Sequence, residues 1–124
     1  MSDSRPVFEP SADHPITISP TQEKVVVRVG DEVVAESSSA LTLREGNYPP
    51  VQYIPVADVT STMSGPTATT SYCPYKGDCS YFTIATSDGE VADAAWGYAA
   101  PFPAVAEIAG HVAFYPNKVT ITVG

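Results

Sequence analysis

Basic residues are scarce in this chain: six Lys and Arg stand against fourteen Asp and Glu, for a formal net charge of -8 over 124 residues. Arg5, Lys24, Arg28, Arg44, Lys76 and Lys118 make up the whole basic set, and no two are adjacent. Such a surface repels phosphate backbones, which argues against sequence-independent binding to nucleic acid and reads first as a device for solubility. Cysteine is nearly missing as well. Cys73 and Cys79 are too few for a disulfide scaffold, and a reducing cytosol would keep both as thiols. No apolar run approaches the roughly 20 residues that span a bilayer, so no membrane association is expected. The opening MSDSRPVFEP has neither a basic start nor an apolar segment; it does not read as a secretory leader, and the expected location is the cytoplasm. The familiar catalytic signatures are absent too: no G-x-G-x-x-G, P-loop, H-E-x-x-H or G-x-S-x-G, and no paired C-x-x-C. A zinc site from Cys73, Cys79 and His111 would fall short of the four closely spaced ligands that structural zinc prefers, so neither a metal nor a cofactor is expected.

What is present is a strand-forming chain, 44% hydrophobic, of a length that suits one domain with an apolar core of its own. Pro6, Pro10, Pro15 and Pro20 forbid a helix at the start and make a central strand improbable there. Residues 1–13 read as a flexible arm and 14–124 as a single domain, with Ile16-Thr17-Ile18 lying along it. Lys24 to Val29 is rich in β-branched residues and short, hence a strand, and Gly30-Asp31 turns it back through Glu32 to Glu36. Leu41 and Leu43 alternate with Thr42 and Arg44 in a further strand. Val51 to Ile54 is another, stopped by Pro55, which suits the start of one helical turn over 56–59. Residues 60–70 read as a long surface connection. Asp88-Gly89 predicts a two-residue hairpin loop that sets 87 opposite 90 and Tyr81 opposite Trp96, an aromatic cross-strand pair. Pro103 and Gly110 bracket a short α-helix near 103–109 with Val105, Ile108 and Ala109 as its apolar stripe. His111 to Tyr115 and Val119 to Val123 are expected to close the chain as a hairpin. The fold class is therefore mainly β: a compact antiparallel barrel or sandwich of hairpins with one short helix.

Candidate chemistry centres on Tyr72-Cys73-Pro74-Tyr75-Lys76-Gly77. Pro74 stiffens this turn and Gly77 frees it, so it displays its side chains. A lysine beside a thiol favours the thiolate, and Lys76 can alternatively hold an anion as a point charge. Against this stands a plain reading of Cys73 as a small buried residue. Trp96-Gly97-Tyr98 with Pro101 and Phe102 is either core or one wall of an apolar pocket. Glu45, Asp58 and Asp93 are the candidate acids; Glu45 and Asp58 each read as either a general base or a group that caps a turn or pairs with Arg28 or Arg44.

Cys73-Pro74-Tyr75-Lys76-Gly77 followed by Ser80-Tyr81-Phe82 resembles the hallmark of domain-of-unknown-function family 427. So do Ala94-Ala95-Trp96-Gly97-Tyr98 with Pro101, the closing His111-Val112-Ala113-Phe114-Tyr115, and, upstream, His14-Pro15-Ile16, Val27-Arg28-Val29, Glu45 and Tyr53-Ile54-Pro55 with Asp58. The resemblance runs over about residues 14–124 and implies a small bacterial β domain of the tent or barrel kind. Arg28, Glu45, Tyr53, Asp58, Cys73, Lys76, Trp96 and Tyr98 match its motif positions. The family carries a nucleotidyltransferase-like label. That chemistry needs clustered carboxylates around a metal or a Gly-rich phosphate cradle, and the sequence displays neither.

Three functions are compatible with these features. The first is a domain binding a small molecule, with Tyr53, Trp96 and Tyr98 as aromatic walls and Lys76 with Arg28 meeting an anionic group. The second is an enzyme with Cys73 as nucleophile, or Glu45 or Asp58 as base, and Lys76 as electrostatic stabiliser. The third is an interaction module without a pocket, for example a homodimer joined at a sheet edge.

Overall fold

The structure, a computed structural model, describes residues 5–124. Strands follow the order β1 (Ile16–Pro20), β2 (Val25–Val29), β3 (Glu32–Ser37), β4 (Leu41–Glu45), β5 (Val51–Pro55), β6 (Met63–Ser64), β7 (Thr70–Cys73), β8 (Gly77–Thr86), β9 (Gly89–Gly97), β10 (His111–Phe114) and β11 (Thr120–Val123). All pairings are antiparallel. The larger sheet runs β1-β4-β5-β10-β9-β8-β6, with β7 also on β8, and the smaller runs β11-β2-β3. The larger sheet stays open, so the architecture is a sandwich rather than a barrel.

Alternation along the central strands divides the interior into two cores, because successive side chains leave a strand on opposite faces. Ile54, Val112 and Phe114 face the small sheet and pack with Val25, Val27, Val34 and Val119. Tyr53 and Ala113 face the other way and pack with Leu43, Cys79, Tyr98, Val105 and Ile108. This second core is the one that lies beneath the Cys73–Gly77 turn, since Cys73 and Trp96 pack against it.

The first hairpin forms as expected, Val29 opposite Glu32, with Gly30 at φ +59°, where glycine carries no Cβ penalty. The second hairpin contains a compensated difference. Its turn is Ser87-Asp88, with Thr86 opposite Gly89, one residue earlier than the Asp88-Gly89 loop predicts. Yet Tyr81 does face Trp96 and Phe82 does face Ala95. A bulge reconciles the two ends: between Phe82 and Ile84 the partner strand advances from Ala95 to Val91, which leaves Ala92 and Asp93 as extra residues. Asp93 takes φ +50° there, a conformation that aspartate tolerates better than most residues.

Three further expectations are corrected. The 103–109 helix is a 3-10 segment, Pro103–Ile108, broken at Val105 (φ -126°, ψ 27°). Its bonds reach three residues, Val105 N–H to Phe102 O and Ala109 N–H to Ala106 O, and that period buries Val105 and Ile108 while leaving Ala109 exposed. A segment this short, opened by Pro103 and ended before Gly110, gains too few i to i-4 bonds to nucleate an α-helix. The 60–70 connection holds β6 and the start of β7, both laid along β8. Finally, β10 and β11 are not a hairpin. The chain turns through Val119 N–H to Tyr115 O and crosses layers, because β2 has a free edge and β11 fills it. The single helical turn after Pro55 is present as a 3-10 turn, Val56–Asp58.

Candidate functional site

The Cys73–Gly77 turn is closed by Lys76 N–H donating to Cys73 O at 3.2 Å, and Gly77 sits at φ +110°. This geometry drives the Lys76 side chain inward, where only 9% of it is accessible. Burying an ammonium is costly unless it is paired. Glu45, at the end of β4, supplies the pair: Lys76 Nζ donates to Glu45 Oε1 at 2.5 Å. The other carboxylate oxygen, Oε2, lies 2.7 Å from His14 Nε2. His14 in turn stacks on Tyr75 with centroids 3.9 Å apart and planes within 8°. Burial pushes the Glu45 carboxyl up, but the hydrogen bonds and charges of Lys76 and His14 outweigh it and hold the group below its ordinary range. Cys73 Sγ lies 3.8 Å from Lys76 Nζ. Residues of the N-terminal arm lie across this turn: Phe8 N–H donates to Pro74 O at 3.0 Å, Tyr72 OH donates to Pro6 O at 2.7 Å, and Arg5 pairs with Asp78 at 2.5 Å.

Of the residues singled out in the sequence, Cys73, Lys76 and Glu45 therefore meet in one cluster, joined by His14, which the motif at 14–16 contains. Tyr53 and Tyr98 lie in the core beneath, 2% and 8% exposed. Burial is the main cause that pushes both phenols far above their ordinary value, so both are neutral. Asp58 is elsewhere, accepting from Ser37 Oγ at 2.6 Å, where it fastens the 3-10 turn to β3. Arg28 belongs to the small sheet, opposite Thr120 and Val33, and so stands in a different layer from Lys76.

A second constellation lies on the outer part of β8 and β9. Tyr81 and Trp96 project from their cross-strand pair, and Tyr115 follows β10. Trp96 and Tyr115 have centroids 4.4 Å apart at 42°, and Trp96 Nε1–H donates to Tyr53 OH at 3.3 Å. Tyr81 and Tyr115 are parallel, with centroids 6.3 Å apart. Together with Thr69, Asp93, Asn117 and Lys118 these two tyrosines line a groove of about 320 Å³. The bulge aims Asp93 into it. Thr69 Oγ1 and Thr67 Oγ1 donate to the two carboxylate oxygens at 2.7 and 2.8 Å, and these bonds, with lesser help from Lys118, hold the Asp93 carboxyl below its ordinary range. Lys118 Nζ donates to Ala92 O at 2.8 Å and stands 5.7 Å over the Tyr115 ring. Burial, then the neighbouring Tyr81 hydroxyl, pushes the Tyr115 phenol up. Tyr98 borders a separate hollow of about 270 Å³ with Phe82 and His111. A third, of about 580 Å³, is lined by Tyr48, three prolines and β11, with no charged group.

Tyr115 closes the His111–Tyr115 motif but does not stand out there as a site residue, and Lys118, Thr67 and Thr69 carry no motif that would single them out. Among the described residues, no three of His, Cys, Asp and Glu are grouped so as to hold a metal ion, and no helix is long and apolar enough to cross a membrane.

The molecule is thus a small antiparallel β-sandwich domain with a buried Lys–Glu–His chain and an open aromatic groove. It belongs to the family described as a domain of unknown function (DUF427), which matches residues 17–124 and carries a nucleotidyltransferase-type label. A comparison with curated proteins finds no match.

Proposed function

We propose that this domain binds a small molecule, and that the ligand sits in the groove between Tyr81 and Tyr115. The observation that carries the reading is that two neighbouring, parallel tyrosine rings, 6.3 Å apart at their centroids, border about 320 Å³ of open space with a carboxylate and an ammonium among its lining groups. Small-molecule sites have this make-up: apolar and aromatic walls with a few convergent polar groups, in a volume of roughly 300–1,000 Å³. Rings left part-exposed beside a strained backbone fit the same reading, since strain collects at functional positions. The larger proline-lined hollow has walls but no charged group, and the hollow beside Tyr98 adds only Ser80 and His111 to that tyrosine as polar side chains.

The anionic ligand expected from Lys76 and Arg28 gains no support from the geometry. Lys76 is committed to Glu45, and Arg28 is in the other layer. The same commitment weighs against Lys76 as an electrostatic stabiliser beside a Cys73 nucleophile, because releasing it would leave Glu45 buried without its partner.

The test is a fragment screen read by the fluorescence of Trp96, the single tryptophan, which lies against Tyr115. Fragments that change this emission in the wild type and fail to do so in Tyr115→Ala support the groove. Hits that persist in Tyr115→Ala but vanish when the Tyr48 hollow is blocked by Pro49→Phe would place the ligand elsewhere and overturn the proposal.

A further inference from the structure

We propose that the group bound in the Tyr81–Tyr115 groove is an alkylammonium ion that takes the place of the Lys118 side chain; the inference rests on the groove reading and assigns its ligand class. The groove already seats an ammonium. Lys118 Nζ lies 2.8 Å from Ala92 O, 3.4 Å from Asp93 O and 5.7 Å from the Tyr115 ring centroid. Ring faces attract cations through their quadrupole, and carbonyl oxygens accept N–H bonds from them. Asp93 adds a full negative charge, fixed in place by two threonine hydroxyls.

Lys118 itself is displaceable. It is exposed and hangs from the short turn between β10 and β11, and a surface lysine held by two carbonyls gives up little on returning to water. Once it swings out, two carbonyl oxygens, one carboxylate and the Tyr115 ring face remain, and the groove is negative. An anion would have to displace nothing, but it would meet the Asp93 carboxylate on a protein of net charge -8. The carbonyl acceptors add a preference of their own. They reward an ammonium that still carries N–H, so primary and secondary amines are favoured over quaternary ones.

Three probes that share one ring and differ in head group separate the possibilities: phenethylammonium, 2-phenylethanol and 3-phenylpropanoate, titrated against Trp96 emission at neutral pH. The cation is expected to bind about tenfold tighter than the alcohol, and the carboxylate most weakly. Lys118→Met removes the internal competitor and should tighten the cation severalfold, while Asp93→Asn should weaken it about tenfold and leave the alcohol unchanged. Equal binding of all three heads, or a cation weakened by Lys118→Met, overturns the ammonium assignment and leaves the groove as a neutral aromatic site. Silence from all three probes on both wild type and Lys118→Met also overturns the assignment, and the groove itself then stands or falls on the fragment screen.

Discussion

The two polar constellations of this domain are built from the same kinds of residue and end in opposite states. At the Cys73–Gly77 turn, a lysine, a carboxylate, a histidine and a tyrosine are consumed by one another. Lys76 and His14 each hold one oxygen of Glu45, and Tyr75 covers the His14 ring. At the Tyr81–Tyr115 groove, a lysine, a carboxylate and two tyrosines border open space. Burial accounts for the difference. A lysine with 9% of its side chain accessible must be neutralised by the fold, whereas an exposed one is free to trade its partners. The polar groups of the segment with the most distinctive sequence are thus bonded to one another, and the groove rests on residues that stand out less.

This contrast can be broken in graded steps. Lys76→Met should have the largest effect, because it leaves Glu45 part-buried with only His14: a loss of about 3 kcal/mol in urea unfolding, with probe binding at the groove unchanged. Loss of groove binding at full folding would show that the two regions are coupled. Acid sensitivity comes next. The Glu45 carboxyl is depressed in the folded state from an ordinary value of 4.5, so its stabilisation is fully present above pH 4.5 and fades as the pH falls through the lower folded-state value. In Glu45→Gln the decline of stability below pH 4.5 should be shallower than in the wild type, as melting temperatures against pH would report. Tyr115→Ala should cost less, about 1–2 kcal/mol, since it removes one part-exposed ring and its contact with Trp96, yet it should abolish groove binding. Trp96→Phe should be the mildest, losing the 3.3 Å bond to Tyr53 for about 1 kcal/mol or less, seen as a small shift in the urea midpoint.

Local signals placed most strands well. Val25 to Val29, Gly30-Asp31 and the Leu41/Leu43 alternation each became what propensity and period dictate. The bulge at Ala92-Asp93 left a trace that could have been read. Continuing the expected register puts Asp93 opposite Ile84, a buried apolar position, and a carboxylate there contradicts the pattern. An extra pair of residues resolves the conflict and turns Asp93 toward the groove. No such trace marks Lys118, Thr67 or Thr69, and the motif that contains Tyr115 does not show which residues it meets, because a long-range contact is written in no single stretch of chain. Cys73, Lys76 and Glu45 were legible as notable residues, and their union was not, since 31 positions separate Glu45 from Lys76.

The sequence by itself determined the β class, the first hairpin, the Tyr81–Trp96 pairing and the membership of a recognisable family, because these depend on short-range period, turn chemistry and motif. The tertiary structure decided that Lys76 is spent on Glu45, that Arg28 lies in the other layer, that β11 crosses to β2, and that two tyrosines 34 positions apart come together as parallel rings. Those outcomes follow from which free edges and buried charges found partners, and only the assembled sandwich brings such partners within reach.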